Sequence, residues 1–516
     1  MAGLNYTTQS VPFNDIVFSG GLNSTSGPLG LKNNESPDLL NIDFDKFGSI
    51  LKRNGYLNLN TTSTSGSNLQ ADGLYWYEWD NAGTTSRHLV KISGGNIYTD
   101  TALAGSWGTP LLTTSTLAFT ATNHFDFETF LNTLIGTNGA NVPFAYAGSG
   151  SAYALTVPTG LTKAKFVRTY NNYLFFGNVV VGGVSYPSRI YFSAIKSITS
   201  WDSADFIDIS KEDGQQITGL KVMGDRLVIY KDRSIYNLFF TGDADIPFIL
   251  PGGGKANSSV GCLAPFSIVD IENYHVFLAT DGIYIYDGLN STKVSDKITT
   301  TLRGYNTALF NKSVAIAYRL KNRYMLALPN SGTQNNRIVV WDYFNNAFSI
   351  YSGMSVSTLA NVMALGYDER PYFSDYSGYD YRLDTGSDDY PLKTQTAITS
   401  YFYTNWRSYD DLANQKGIPI VVVYFQINSG NLNFSYSYDF EDADTYTLSF
   451  PMTSGFDKYG DAVYDVSSYA GSGGFFVRQD LIGRGRVVRF KFSNNSMGET
   501  FRIDGFGSFA HLETMV

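Results

Sequence analysis

Short aromatic-rich strands recur along this chain at a nearly fixed interval, and the repetition restricts the folds open to it. Seven segments carry the pattern, at residues 96–99, 143–146, 189–192, 234–237, 282–286, 337–341 and 379–382. Successive copies lie roughly 40 to 55 residues apart, which is the length that one four-stranded propeller blade needs. The spacing predicts an all-β protein with a β-propeller of about seven blades, within a range of about six to eight.

Hairpin signals inside the repeats support this prediction. Residues 275–279 and 283–286 flank the turn at Asp281-Gly282, and residues 226–230 and 234–236 flank a short polar turn. Asp-Gly between two apolar runs favours a tight hairpin, because glycine accepts the positive φ of the turn. The chain also contains 50 Gly, 37 Tyr and 36 Phe residues, a mixture typical of turns and pleated, half-buried surfaces.

Changes in the spacing of the strands divide the chain into three segments. Residues 1–65 form an N-terminal segment that ends in a Ser/Thr-rich run, and we expect part of it to close the ring by pairing beside the last blade. Residues 66–392 form the propeller. Residues 393–516 contain longer strands without the blade period, which predicts a C-terminal β-sandwich of the jelly-roll type.

Charge and cysteine content exclude several classes of function. The net charge is −9 and the pI is near 5.0, with no basic domain to hold a phosphate backbone, so specific nucleic-acid binding is not expected. A single cysteine, Cys262, rules out an internal disulfide and is expected to be a buried structural thiol. No apolar run reaches about 18 residues and no signal-peptide pattern opens the chain, so neither membrane insertion nor export is expected.

Motifs of the common catalytic and metal sites are missing from the sequence. The four histidines, His88, His124, His275 and His511, are scattered, and with one cysteine they offer no zinc set of ordinary spacing. There is no G-x-S-x-G elbow and no phosphate-binding loop. A glycosidase pair of carboxylates could still come from different blades. We expect no enzyme activity and no cofactor.

Two kinds of charged cluster remain open to interpretation. Acidic runs occur at residues 202–208, 281–287 and 440–444; they are either solvated turns or calcium sites, although none matches the EF-hand loop. The densest basic stretch contains Arg478, Arg484, Arg486, Arg489 and Lys491. It is either a sheet edge guarded by charge or a contact for an acidic partner.

The N-terminal residues carry a resemblance to a known family. A Gly-Gly pair at Gly20 and Gly21 precedes Asn41 and then a Gly-x-x-x-Lys-Arg-x-Gly run at Gly48, Lys52, Arg53 and Gly55. This opening resembles that of tailed-bacteriophage tail proteins, namely the podophage tail tubular protein B or nozzle family and related tail-hub propellers. The resemblance covers some forty residues closely and the propeller only in architecture. From the residues alone, Gly48 and Gly55 are expected in turns that bound a short strand, and Lys52 and Arg53 are expected to bind acidic neighbours.

The resemblance implies a structural virion protein located in the tail and assembled in the host cytoplasm. It implies a homo-oligomeric ring, with six copies expected, around the channel through which genomic DNA passes without specific binding. It also implies contacts with an adaptor or portal-side connector protein and with tail fibre or needle proteins. Because nozzle proteins are often longer and carry extra platform domains, this shorter chain could instead be a hub or fibre-anchoring protein.

Two other functions are compatible with the sequence. A glycan-binding or depolymerising tail protein could use exposed Tyr and Trp rings against host surface polysaccharide, and glycan binding would distinguish it. A cellular propeller that serves as an interaction scaffold would be distinguished by a genomic neighbourhood without portal and terminase genes.

Overall fold

A computed structural model describes residues 10–15, 17–60, 63, 69–112, 117, 119–120, 122–364, 368–426, 430–441, 443–452 and 475–512. The chain divides into two compact units. The first unit comprises residues 1–56, 339–353 and 384–516, and the second comprises residues 57–338 and 354–383. Both units consist of β-strands, so the predicted all-β class is confirmed.

The N-terminal part of the chain forms seven short strands. They are β1 (Ser10–Asp15), β2 (Gly21–Leu22), β3 (Glu35–Ser36), β4 (Leu39–Leu40), β5 (Ile42–Phe44), β6 (Ile50–Lys52) and β7 (Tyr56–Asn58). β2 and β3 pair in parallel, whereas β5 and β6 form an antiparallel hairpin.

Seven antiparallel sheets follow one another along the described residues of the second unit. The first has three strands, β8 (Ala71–Asn81), β9 (Thr84–Ser93) and β10 (Asn96–Asp100). The second sheet contains β11 (Asp126–Phe130), β12 (Thr133–Thr137), β13 (Phe144–Tyr146) and β14 (Tyr153–Ala154). The third contains β15 (Leu161–Tyr170), β16 (Tyr173–Val181), β17 (Val184–Phe192) and β18 (Phe206–Asp208). The fourth sheet contains β19 (Ile217–Met223), β20 (Arg226–Lys231), β21 (Ile235–Phe240) and β22 (Phe248–Ile249). The fifth contains β23 (Val269–Ile271), β24 (Tyr274–Ala279), β25 (Gly282–Tyr286) and β26 (Ser291–Lys293).

The last two sheets complete the series. The sixth begins with β27 (Val314–Tyr318) and β28 (Arg323–Leu328), after which β29 (Arg337–Asp342) leads into the first unit, where β30 (Ala347–Tyr351) follows. The seventh contains β31 (Thr358–Ala364), β32 (Asp368–Ser374) and β33 (Asp380–Leu383), with the N-terminal strand β7 beside β33.

Hydrophobic layers between the sheets close them into a ring. The middle strands are apolar on both faces, as in the fully buried run Leu227–Tyr230 of β20, so each sheet packs against both of its neighbours. Leu74 and Leu89 of the first sheet share a buried cluster with Val362 and Tyr372 of the seventh. The second unit is therefore a β-propeller, as the repeat spacing predicts.

Helical structure is sparse in the described residues. One α-helix, α1 (Thr299–Arg303), follows the fifth sheet. Short 3-10 turns occur at Pro251–Gly253, Pro265–Ser267, Asp296–Ile298, Thr307–Lys312, Arg319–Lys321 and Pro391–Lys393. Within the part of the chain that the structure describes, no helix is long and apolar enough to cross a lipid bilayer.

The first unit contains two large sheets that join both ends of the chain. Its C-terminal strands are β34 (Ser400–Tyr403), β35 (Lys416–Phe425), β36 (Asn431–Tyr438), β37 (Tyr446–Pro451), β38 (Phe475–Asp480), β39 (Arg484–Gly485), β40 (Val488–Asn494) and β41 (Arg502–Leu512). One sheet has the order β38-β35-β41-β6-β5, with β1 also beside β41 and β39 beside β35, and the other has the order β37-β36-β40-β34-β4. N-terminal residues thus supply strands to both sheets.

Aromatic side chains connect the two sheets of the first unit. Phe506 of β41 contacts Phe490 and Phe492 of β40, with ring centroids 5.4 and 5.5 Å apart. Phe18 is fully buried between Phe402 of β34 and Phe506. These rings form the centre of the apolar core of this unit.

Candidate functional site

The polar residues of the N-terminal motif are buried and bind other segments of the first unit. Arg53 is 2% exposed and lies at the centre of a hydrogen-bonded network, where Nη1 and Nη2 donate to the two carboxylate oxygens of Asp389 over 2.8 and 2.6 Å. Nε donates to Asn41 Oδ1 over 2.8 Å, and Nη2 also donates to the carbonyl oxygen of Ser352. Burial raises the pKa of Asp389, and the Arg53 guanidinium opposes that shift.

Asn41 and Lys52 extend this network to other segments of the unit. The Asn41 side-chain amide donates to the carbonyl oxygen of Thr399 over 2.7 Å, and its backbone adopts a positive φ of 55°. Lys52, which is 2% exposed, donates to Asn494 Oδ1 over 2.9 Å and to the carbonyl oxygen of Glu499 over 2.7 Å. Burial lowers the pKa of Lys52. The oxygen atoms that accept these hydrogen bonds from Lys52 belong to a side-chain amide and to the backbone.

The four motif glycines lie where the chain passes close to other backbone. A Cβ added to Gly55 would come within 1.7 Å of the carbonyl oxygen of Asp388, so no other residue fits without moving the backbone. Gly21 has φ of 71° and packs against the backbone nitrogen of Phe348. Gly20 donates its N–H to the carbonyl oxygen of Asn34, and Gly48 ends the β5–β6 turn. The motif thus fixes the architecture of this unit from inside.

A second concentration of charge lies on the propeller axis. A cavity of about 200 Å³ is lined by the first strands of several sheets, which contribute Asp72, Tyr75, Arg168 and Lys221, and by His124 and Phe266 from segments that precede such strands. These strands converge at the axis because each is the innermost strand of its sheet. Sequence reasoning missed this cavity, since its residues are scattered between positions 72 and 359.

Arg168 neutralises two carboxylates at the cavity wall. Its Nη1 lies 2.7 Å from Glu128 Oε2, and its Nη2 lies 3.0 Å from Asp126 Oδ1. Asp126 and Glu128 lie two residues apart on β11 and so point to the same side of the strand. Burial raises the pKa of Glu128, against the effect of Arg168. One arginine from the neighbouring sheet thus binds both of these carboxylates, of which Asp126 lines the cavity.

Asp72 and Lys221 lie in the same cavity without an ion pair in the described part of the chain. Asp72 Oδ1 accepts hydrogen bonds from Gln70 Nε2 and the Thr122 N–H, and burial raises its pKa to about 6. Lys221 has its pKa lowered to about 8, first by burial and then by the nearby Arg168. Both groups are thus partly desolvated, and neither lies within ion-pair distance of an opposite charge among the described residues.

Three of the four histidines are structural in their contacts. His275 is fully buried, with Nδ1 2.9 Å from the Tyr230 hydroxyl and Nε2 3.1 Å from the carbonyl oxygen of Val222. His88 packs edge-on against Trp79, and His124 packs against Phe266 at the cavity. Burial lowers the pKa of all three, to about 4 for His124 and His275.

One acidic side chain in each of the three acidic runs forms an intramolecular salt bridge. Asp208 binds Arg189, Asp281 binds Lys293, and Asp444 binds Lys491. No group of three or more His, Cys, Asp or Glu side chains among the described residues is arranged to hold a metal ion. The basic strand β40, which includes Lys491, lies between β36 and β34, so the guarded-edge interpretation is wrong for it. Arg478, in contrast, lies on the edge strand β38.

Cys262 is a buried thiol, as expected for the single cysteine of the chain. The residue is 0% exposed and packs in the cluster between the fourth and fifth sheets of the propeller. Burial raises its pKa to about 12.

Comparisons with known proteins find similarity in structure alone. No protein-family model matches the chain, and no curated protein matches its sequence. Similar solved structures include the WD40 β-propeller domain of Doa1, with 10% identity and a TM-score of 0.38 over 64% of this chain and 97% of that one. BBS1N in complex with ARL6DN has 11% identity and a TM-score of 0.39 over 65% and 99%. YCF48 bound to the D1 peptide has 10% identity and a TM-score of 0.39 over 67% and 100%.

Proposed function

We propose that this protein is a structural component of a bacteriophage tail, of the nozzle, tubular or hub type. In this proposal several copies form a ring around the DNA-exit channel and link the connector to distal tail parts such as fibres or a needle. The role is mechanical, because rigid sheets form the wall and contacts between copies hold it together.

The observation that carries the proposal is that all seven motif residues are buried inside the first unit. The Gly-Gly, Asn and Lys-Arg-x-Gly positions that resemble podophage tail proteins are not dispersed over the surface. Asn41 and Arg53 belong to one hydrogen-bonded network, and Lys52 extends it to the C-terminal strands. A motif of this kind favours a shared architecture over a shared ligand site, as expected of a building block.

The architecture of the first unit gives further support. Its two sheets meet through Phe506, Phe490 and Phe492, and we infer that they form a β-sandwich of the jelly-roll type. Buried cross-links such as Arg53–Asp389 make this unit resistant to deformation, which a load-transmitting tail component requires.

An exposed apolar sheet face is consistent with contacts between copies. Tyr424 of β35 and Phe476 of β38 are 48% and 64% exposed, with ring centroids 5.9 Å apart. Phe509 of β41 is 43% exposed and lies opposite Ile420 on the same face. Exposed apolar side chains grouped on one sheet face mark contact regions in soluble proteins. We name this surface, formed by Ile420, Tyr424, Phe476 and Phe509, the outer sheet face.

Antibody labelling of intact phage particles tests the proposed function directly. Gold-labelled antibody against the purified chain should decorate the tail near the capsid in negative-stain images. Sedimentation of the purified chain, alone and with its adaptor protein, should reveal a discrete homo-oligomer. Unlabelled particles, together with a chain that stays monomeric at micromolar concentration in both samples, would exclude this role.

A further inference from the structure

The axial cavity of the propeller contains two opposite charges that have no ion-pair partner in the described part of the chain. Asp72 comes from the first sheet and Lys221 from the fourth of the seven sheets in the ring. These two sheets lie on different sides of the axis because three sheets separate them in one direction and two in the other. The cavity is therefore electrically polarised across its width.

Asp72 is a buried carboxylate with unused hydrogen-bonding capacity. The residue is 1% exposed, and its two hydrogen bonds, from Gln70 Nε2 over 2.7 Å and from the Thr122 N–H over 3.0 Å, both reach Oδ1. Among the described residues, no lysine or arginine forms an ion pair with it and Oδ2 accepts no hydrogen bond. A buried carboxylate without a cation is costly, so a ligand cation beside Oδ2 would stabilise it.

Lys221, on the opposite side of the cavity from Asp72, is a cation without an ion-pair partner among the described residues. It is half-buried, and its ammonium group forms no hydrogen bond or ion pair with a described residue. Of the three carboxylates whose charge acts on Lys221, namely Asp126, Glu128 and Asp270, the first two are bound by Arg168. An anionic ligand group could therefore bind Lys221 without displacing an existing salt bridge.

Apolar side chains form part of the wall, beside Tyr75, His124 and the Asp126–Arg168 ion pair. Phe127, Phe166 and Phe266 line the cavity, together with Ile268 and Leu359. Such a surface favours a methylene chain, whereas the charged ends select for polar termini. The volume of about 200 Å³ restricts the occupant to a small molecule.

We propose that the axial cavity binds a small linear zwitterion, with its ammonium group at Asp72 and its carboxylate at Lys221. ω-Amino acids and short peptides belong to this chemical class. The site is independent of the tail function proposed above, because all of its residues belong to the propeller.

Calorimetric titration of the full chain with three matched probes tests the proposal. The probes are 6-aminohexanoate, which has both charged ends, hexylammonium, which lacks the carboxylate, and hexanoate, which lacks the ammonium. We expect saturable binding of 6-aminohexanoate at least about tenfold tighter than that of either singly charged probe, since each end contributes a charge-assisted hydrogen bond. This comparison needs no mutation and so does not depend on the folding of a variant.

Two substitutions then assign the ends of the probe. Asp72→Asn should weaken 6-aminohexanoate about tenfold and leave hexanoate unaffected, whereas Lys221→Met should weaken 6-aminohexanoate and hexanoate but not hexylammonium. The controls Asp480→Asn and Lys211→Met make the same charge changes at exposed positions and should have no effect. Absence of saturable binding to the native chain, equal affinity for all three probes, or unchanged affinity in both cavity variants would overturn the proposal.

Discussion

Arg53 and Asp389 lie 336 residues apart in the sequence and form a buried, two-pronged ion pair, with Nη2 2.6 Å from Oδ2. The pair connects the end of the N-terminal strands to the loop before β34, inside the first unit. Because both groups are almost completely buried, neither can regain water if the other is removed.

Removing the guanidinium should strongly destabilise the protein. We expect Arg53→Met to lower the free energy of unfolding by about 3 to 5 kcal/mol, because Asp389 is left buried without its cation. Arg53→Lys should lose less, since it keeps the charge but not the two-pronged geometry. Arg319→Met is the matched control, as the Arg319–Glu369 pair is more than half exposed at the arginine and should contribute at most about 1 kcal/mol. Chemical denaturation of the full chain measures these differences; similar losses at both sites would contradict the assignment.

Adding a single methyl group at Gly55 should disturb the same region. The new Cβ of Gly55→Ala would meet the carbonyl oxygen of Asp388 at 1.7 Å, so the two backbone segments must separate. We expect a loss of about 1 to 3 kcal/mol in the free energy of unfolding. Gly27→Ala, in the same unit but with no atom within 4 Å of the added Cβ, should change stability little. A native-like melting temperature for Gly55→Ala would show that the close approach is absent in solution.

His275 should make the propeller sensitive to acid. Because the carbonyl oxygen of Val222 can only accept, Nε2 carries the proton and Nδ1 accepts from the Tyr230 hydroxyl, so the ring is neutral. Its pKa is lowered to about 4, mainly by burial, whereas an unfolded histidine titrates near pH 6.5. Between these values the unfolded chain binds a proton that the native protein excludes.

The free energy of unfolding should therefore fall by up to about 3 kcal/mol from this residue as the pH drops from about 6.5 to about 4. His275→Gln removes the titrating group and should flatten this part of the pH profile. Denaturation at several pH values, for the native chain and the variant, gives the difference curve. Parallel profiles would mean that the imidazole titrates normally in the fold.

The outer sheet face should govern self-association if it forms contacts between copies. Tyr424→Ser together with Phe476→Ser removes the two most closely packed exposed rings of this surface, and we expect a shift toward monomer of at least about tenfold in the association constant. Phe344→Ser, at a position 62% exposed elsewhere in the same unit, is the control and should leave association unchanged. Sedimentation equilibrium measures both; unaltered association of the double variant would assign the contacts to another surface.

The sequence was most informative where structure depends on near neighbours. The Asp281-Gly282 turn and the apolar runs beside it are local, so the hairpins of β24 and β25 could be predicted from turn chemistry alone. Their regular spacing predicted the propeller, because each sheet of the ring repeats one local unit.

Relations between distant segments could not be obtained in this way. Arg168 binds Asp126 and Glu128 only because the second and third sheets pack side by side, which fixes the distance between their first strands. Lys52 binds Asn494 and the carbonyl of Glu499 because β6 pairs with β41, more than 400 residues later. A polar residue in the sequence gives no sign of partners that tertiary packing brings to it.

Closure of the propeller between its first and seventh sheets has a consequence for synthesis on the ribosome. Leu74 and Leu89 emerge early, but Val362 and Tyr372, which cover them, are translated almost 300 residues later. During that interval the nascent chain exposes an apolar sheet face to solvent. Chaperones that bind extended apolar segments would therefore bind the growing polypeptide at this face. The face becomes buried once the ring is complete.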